Sequence, residues 1–109
     1  MNWKFIYYNS RVEKEALGLP ADLLAEFNAM QDLMEKKGPH LGMPYTRSMG
    51  DGLFEMRLRG KDQIARVFYC TVIAGEIVLL HTFIKKSQKT PDKELQLARK
   101  RLKEIKQHD

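Results

Sequence analysis

The chain has a single cysteine in 109 residues, which excludes an internal disulfide framework and a thiolate zinc cage. No stretch approaches the roughly 18 uninterrupted apolar residues of a membrane-spanning helix, so no membrane association is expected. The start, Met1-Asn2-Trp3-Lys4-Phe5, carries neither a basic leader nor an apolar core, and no secretory signal is expected. Prolines number only four, and no linker, internal repeat or low-complexity tract divides the sequence. Apolar residues, by contrast, make up 43% of the chain. That is enough to bury a core, and the length suits one domain spanning residues 1–109. The expectation is a small cytoplasmic domain.

Charge is unevenly placed. Residues 1–84 hold 10 basic and 10 acidic side chains, which cancel, whereas residues 85–109 hold 9 basic against 4 acidic ones. The whole net charge of +5 therefore lies in the last quarter. A concentrated positive field attracts phosphate backbones or an acidic protein. The bland reading of the same residues is a solvated, lysine-rich helix at a chain end.

Periodicity divides the chain into elements. Trp3 to Tyr8 is aromatic and short, a first strand ended by Asn9-Ser10. Arg11 to Leu17 forms a short helix stopped by Gly18. Pro20 opens a second helix with Asp22 in its first turn. Leu23, Phe27, Met30 and Met34 recur along it at helical spacing, and Gly38-Pro39 ends it. The two make a helical hairpin. Residues 39–52, rich in proline and glycine, read as a loop. After Gly52 the period becomes two, with Phe54, Met56 and Leu58 on one side and Glu55, Arg57 and Arg59 on the other. Gly60-Lys61-Asp62 is a turn, Ile64 to Ile73 a longer strand, and Ala74-Gly75-Glu76 a tight connection. The strand Ile77 to Ile84 then pairs antiparallel, and its apolar residues on both faces mark it as central or doubly covered. Thr90-Pro91 opens a last helix, with Leu95, Ala98, Leu102 and Ile105 on one stripe. The order β-α-α-β-β-β-α defines an α+β domain with a small, mostly antiparallel sheet.

Three segments reach beyond generic patterning. Gly52-Leu53-Phe54-Glu55-Met56-Arg57 resembles the "G-L-W-E-L-R" strand of the HigB branch of RelE/ParE-type toxins, including their phage-derived relatives. Arg66-Val67-Phe68-Tyr69 is similar to that family's "R-x-x-Y/F" strand. Phe83 to Pro91 resembles its "F-x-K-K-T-x-K-T-P" junction between last strand and last helix. Order and spacing agree, and the likeness covers roughly residues 3–107. The resemblance implies the toxin of a type II toxin–antitoxin system, a ribosome-dependent endoribonuclease that cleaves translated mRNA without a metal or other cofactor. Its implied partners are the ribosome, translated mRNA and a helix-turn-helix antitoxin. The ParE branch of the same fold inhibits DNA gyrase instead, and that reading stays open beside a non-catalytic nucleic-acid-binding protein.

Metal-free RNA cleavage must activate the 2′-hydroxyl, stabilise an anionic phosphorane and protonate the leaving 5′-oxygen. Arg57 and Arg66, on adjacent strands, suit the scissile phosphate, because a guanidinium fork engages two phosphate oxygens at once. Glu55 is a candidate base, although a carboxylate beside arginines has a lowered pKa. Lys85 and Lys86 sit in a basic cluster, where crowding lowers a lysine's pKa and suits it to proton transfer. Lys86 is the candidate for catalysis and Lys85 for RNA contact, though neighbours on a strand point oppositely and alternation alone leaves the choice open. Arg59 and Lys89 are further RNA-contact candidates. Tyr69 is one for base stacking, with core packing as its alternative. His81 lies inside an apolar strand and reads as a hydrogen-bonded core residue. Cys70 reads as a small buried apolar one.

Overall fold

A computed structural model of the protein describes residues 2–72, 75–86 and 89–108. The elements in chain order are β1 (Lys4–Tyr7), α1 (Ser10–Leu17), α2 (Ala21–Lys37), β2 (Thr46–Gly50), β3 (Leu53–Arg59), β4 (Ile64–Val72), β5 (Glu76–Lys85) and α3 (Asp92–His108). The five strands form one sheet in the order β1-β5-β4-β3-β2. Only the β1–β5 pair is parallel.

One element departs from the sequence reading. Within the stretch 39–52 expected to be a loop, residues 46–50 form the edge strand β2. Its pairing with β3 needs only a tight turn, Asp51-Gly52, with φ of 57° and 86°. Both values lie in the left-handed region, where Asp-Gly pairs are at home in hairpins. The end of the expected strand at Ile73 and the start of the expected connection at Ala74 lie outside the described residues.

The remaining boundaries follow from local chemistry. The Asn9 side chain accepts a hydrogen bond from the Val12 amide (2.9 Å), which caps α1. Helix α2 ends at Gly38, whose φ of 92° suits glycine. Asp22 in the first turn of α2 accepts from the amides of Leu23 (2.9 Å) and Lys61 (2.6 Å), which ties the β3–β4 turn to the helix. A Cβ at Gly60 would meet Asp22 Oδ2 at 2.5 Å, so that turn fits closely only as glycine.

Each sheet face has its own core. On one face α1 lies over β1 and β5 and α2 over β3, burying Leu23, Phe27, Met30 and Met34 against Met56, Leu58, Val67, Tyr69 and Leu79. Complete burial of a side chain such as Phe27 contributes about 1.5–3 kcal/mol. On the other face α3 sets Leu95, Ala98, Leu102 and Ile105 against Leu53, Phe68, Cys70, Val78 and Leu80. All of those strand residues lie toward one end of the sheet. The opposite end of that face, where β3 and β5 finish and β4 begins, carries charged side chains instead.

Candidate functional site: a guanidinium cluster at the open end of the sheet

Antiparallel register assembles the site. Arg57 on β3 pairs with Arg66 on β4, and Glu55 on β3 pairs with Arg47 on β2. Alternation then turns Arg47, Glu55, Arg57 and Arg66 to the same face. Glu55 Oε1 lies 3.1 Å from Arg57 Nη1, 3.6 Å from Arg47 Nη2 and 3.6 Å from Arg66 Nε. The Thr90 hydroxyl donates to Glu55 Oε2 at 3.4 Å. Three guanidiniums thus share one carboxylate, which leaves two positive charges uncompensated at that point. A phosphate is the complementary guest for such a surplus.

Glu55 is not the outward-facing carboxylate that strand alternation implied. It shares the face of Arg57 and Arg59, yet it is 0% exposed, because Arg47, Arg66 and the Thr90 segment close over it. A base must reach a substrate proton, and this carboxylate is enclosed by its own partners. Arg66 is also buried, with Nη1 donating to the Ala65 carbonyl at 3.0 Å and Nε left without a hydrogen-bond partner. Burial, then the nearby Arg57, pulls the Arg66 pKa down while Glu55 opposes the shift. Arg57 remains partly open, with 23% of its side chain exposed.

A bulge decides which lysine joins the cluster. Phe68 pairs with His81 and Tyr69 with Leu79, so Leu80 is the extra residue on β5. Strict alternation from Leu80 would carry residue 86 onto the charged face. The bulge shifts the phase by one, which puts His81, Phe83 and Lys85 there, with Lys85 paired through Ile64 to the Arg59 position. Lys85 is buried, and its pKa is lowered by desolvation first and by Arg66 next, with Glu55 opposing. The crowding expected to tune a lysine thus falls on Lys85, while Lys86 is exposed just beyond the strand.

The cluster opens into a cleft of about 1040 Å³ whose walls include Tyr45, Arg57, Arg59, Arg66, Lys85 and Lys86. Lys89 is exposed beyond it; Ser87 and Gln88 of the matched junction lie outside the described residues. Tyr69 requires a correction. It points to the other face, is fully buried, donates its hydroxyl to the Pro39 carbonyl at 2.6 Å and has a pKa pushed up to about 12 by burial. A ring enclosed in the core cannot stack on a base. His81 is a buried residue with Nε2 3.2 Å from Glu94 Oε2, matching its core reading, and Cys70 is buried as expected.

Two contributors escaped the sequence reading, Arg47 and Tyr45. The Asp51-Gly52 pair ahead of an alternating strand was the available signal, since it places β2 beside β3. The basic last helix proves partly structural: Arg99 Nη2 donates to the Met49 carbonyl (2.6 Å), Arg101 Nη1 to that of Leu80 (2.6 Å) and Lys106 Nζ to that of Asp51 (2.7 Å). Among the described residues no three His, Cys, Asp or Glu side chains gather as a metal site would require. No helix there is long and apolar enough to cross a membrane.

Comparison with known proteins fixes the class first. The fold is similar to that of a chain in the crystal structure of the archaeal RelE-RelB complex from Pyrococcus horikoshii OT3, with a TM-score of 0.50 and 20% identity. The match covers 83% of this chain and 100% of that one, and at this identity it speaks for the fold. The α+β, RelE-type architecture implied by the three motifs is therefore present. The chain belongs to the family described as phage derived protein Gp49-like (DUF891), whose profile matches residues 14–103. No curated protein matches it.

Proposed function

We propose that the protein is the toxin of a type II toxin–antitoxin pair and cleaves ribosome-bound mRNA without a metal. The observation that carries this reading is the trio of guanidiniums gathered on Glu55, two of which, Arg57 and Arg66, line a cleft together with Lys85. Arg57, the more open of the paired arginines, grips the scissile phosphate, and Arg66 behind it adds charge as the phosphorane forms. The 2′-oxygen attacks phosphorus, the bond to the 5′-oxygen breaks, and a cyclic phosphate and a 5′-hydroxyl result. Lys85, with its lowered pKa, transfers one of the two protons that move. Glu55 is a positioning residue that fixes the arginine forks. Arg59, Lys86 and Lys89 attract the flanking strand. A helix-turn-helix antitoxin and the ribosome are the partners this reading requires.

The test is inducible expression in a bacterial host with primer extension on an abundant translated mRNA, beside Arg57→Ala/Arg66→Ala. Cuts inside the reading frame that need translation and vanish in the double variant are the expected result. Growth arrest with intact mRNA would replace this reading with gyrase inhibition. Absence of arrest would leave a nucleic-acid-binding protein.

A further inference from the structure

We propose that Tyr45 is the nucleobase seat of the cleft, its ring stacking on an unpaired RNA base while Arg57 holds the adjoining phosphate. Resting on the RNA reading of the cleft, this assignment adds the group that recognises a base rather than charge. Tyr45 is 45% exposed, in a molecule whose only other large exposed apolar residues, among those described, are Leu17 and Met43. Met43, two residues away in the sequence, is 60% exposed.

The mount is rigid. The Gly42 carbonyl accepts from the amides of Tyr45 and Thr46, both at 3.0 Å, and the Gly42 amide donates to Thr46 Oγ1 at 2.8 Å. The Tyr45 carbonyl accepts from the Arg57 amide at 2.8 Å, so ring and guanidinium branch from hydrogen-bonded backbone neighbours. Tyr45 also walls a small recess of about 130 Å³ with Glu26, Ala29, Met30 and Leu33 of α2. It therefore borders a mostly cationic hollow and a smaller one lined by three apolar side chains and Glu26, which edges both. Unstacked RNA bases settle on such exposed aromatic faces, and Arg57 beside the ring supplies the neighbouring anion contact. Tyr69 is enclosed and cannot take this part.

The experiment is fluorescence anisotropy with the purified protein and a labelled six-nucleotide single-stranded RNA, against an abasic ribose-phosphate strand of the same length. The wild type should bind the intact strand roughly 5- to 150-fold more tightly than the abasic one, the range of one stacked base. Tyr45→Ala should lose that preference while holding the abasic strand as wild type does, which also certifies its fold, and Tyr45→Phe should keep it. A Tyr45→Ala protein that retains the preference overturns the assignment. Should Arg57→Ala and Lys85→Met bind both strands as wild type does, the RNA reading of the cleft itself fails. Should they weaken both strands while Tyr45→Ala keeps the preference, only the base seat is lost.

Discussion

The two halves of the outer sheet face use positive charge in opposite ways. Under α3, Arg99, Arg101 and Lys106 turn back onto main-chain carbonyls of the β2–β3 turn and the β5 bulge, and so fasten the helix to the sheet. At the uncovered end, Arg47, Arg57 and Arg66 converge on one buried carboxylate with charge to spare. The first group comes from the quarter of the sequence that carries the whole net charge. The second comes from residues whose charges cancel in composition. Surplus charge in the sequence therefore points to the helix and to Lys85 alike; pairing register, which gathers cations around too few anions, is what singles out the cluster.

The sharpest way to break that contrast is to remove one cation from each half and measure cleavage. Lys85→Met and Arg57→Ala are each expected to lower the rate by about 10²–10⁴-fold, the worth of a positioned proton donor or a charge-stabilising group. Lys103→Met, on exposed α3, should leave it within about twofold. The Lys85 variant should also lose a limb of the pH–rate profile below the ordinary lysine value of 10.5. The linkage sign is opposite to that of a stabilised cation. Between the lowered native pKa and 10.5 the unfolded chain binds more protons, so stability rises with pH across that window, and Lys85→Met should flatten the rise.

Next in size is the effect of the shared carboxylate on stability. Glu55→Gln keeps the shape but leaves three guanidiniums without a counter-charge, and should cost about 3–5 kcal/mol by chemical denaturation. Adding Arg66→Met should recover part of that loss, since the two residues interact and their effects should not add. Arg101→Met, in the other half, should cost about 1.5–3 kcal/mol, the worth of a hydrogen bond from a charged group, with cleavage unchanged. A large fall in cleavage with Arg101→Met would erase the distinction between the halves.

Much of the architecture was legible because each element carries its own punctuation: Asn9 and Gly18 around α1, Gly38 after α2, the alternation of 53–59, the apolar stripe of α3. β2 was not, because Thr46-Arg47-Ser48-Met49-Gly50 has little strand propensity and is held by pairing and by the Asp51-Gly52 turn. Of the site, Arg66 was legible as lying across the Gly60 turn from Arg57 or Arg59, and the register selects Arg57. The enclosure of Glu55 was not, because it depends on Arg47 from an unseen strand and on Thr90 from 35 residues further along the chain. The inward aim of Tyr69 follows from the same alternation that set Val67 in the core.

The smallest expected effect separates two adjacent lysines. Lys86 is exposed past the end of β5, whereas the Leu80 bulge brings Lys85 among the arginines. Lys86→Met should remove at most one phosphate contact, which reduces the salt slope of binding to a single strand by about 0.7, and should change cleavage only a few-fold. Deleting Leu80 would remove only the extra residue and leave Lys85 opposite Ile64, whereas deleting Thr82, beyond the bulge, would shift the phase and set residue 86 of the present numbering opposite Ile64 in its stead. If cleavage in that variant comes to depend on Lys86 and no longer on Lys85, phase along β5 rather than residue identity selects the working lysine. If the wild type and the Thr82-deleted protein both depend on Lys86, phase along β5 has no part in the site.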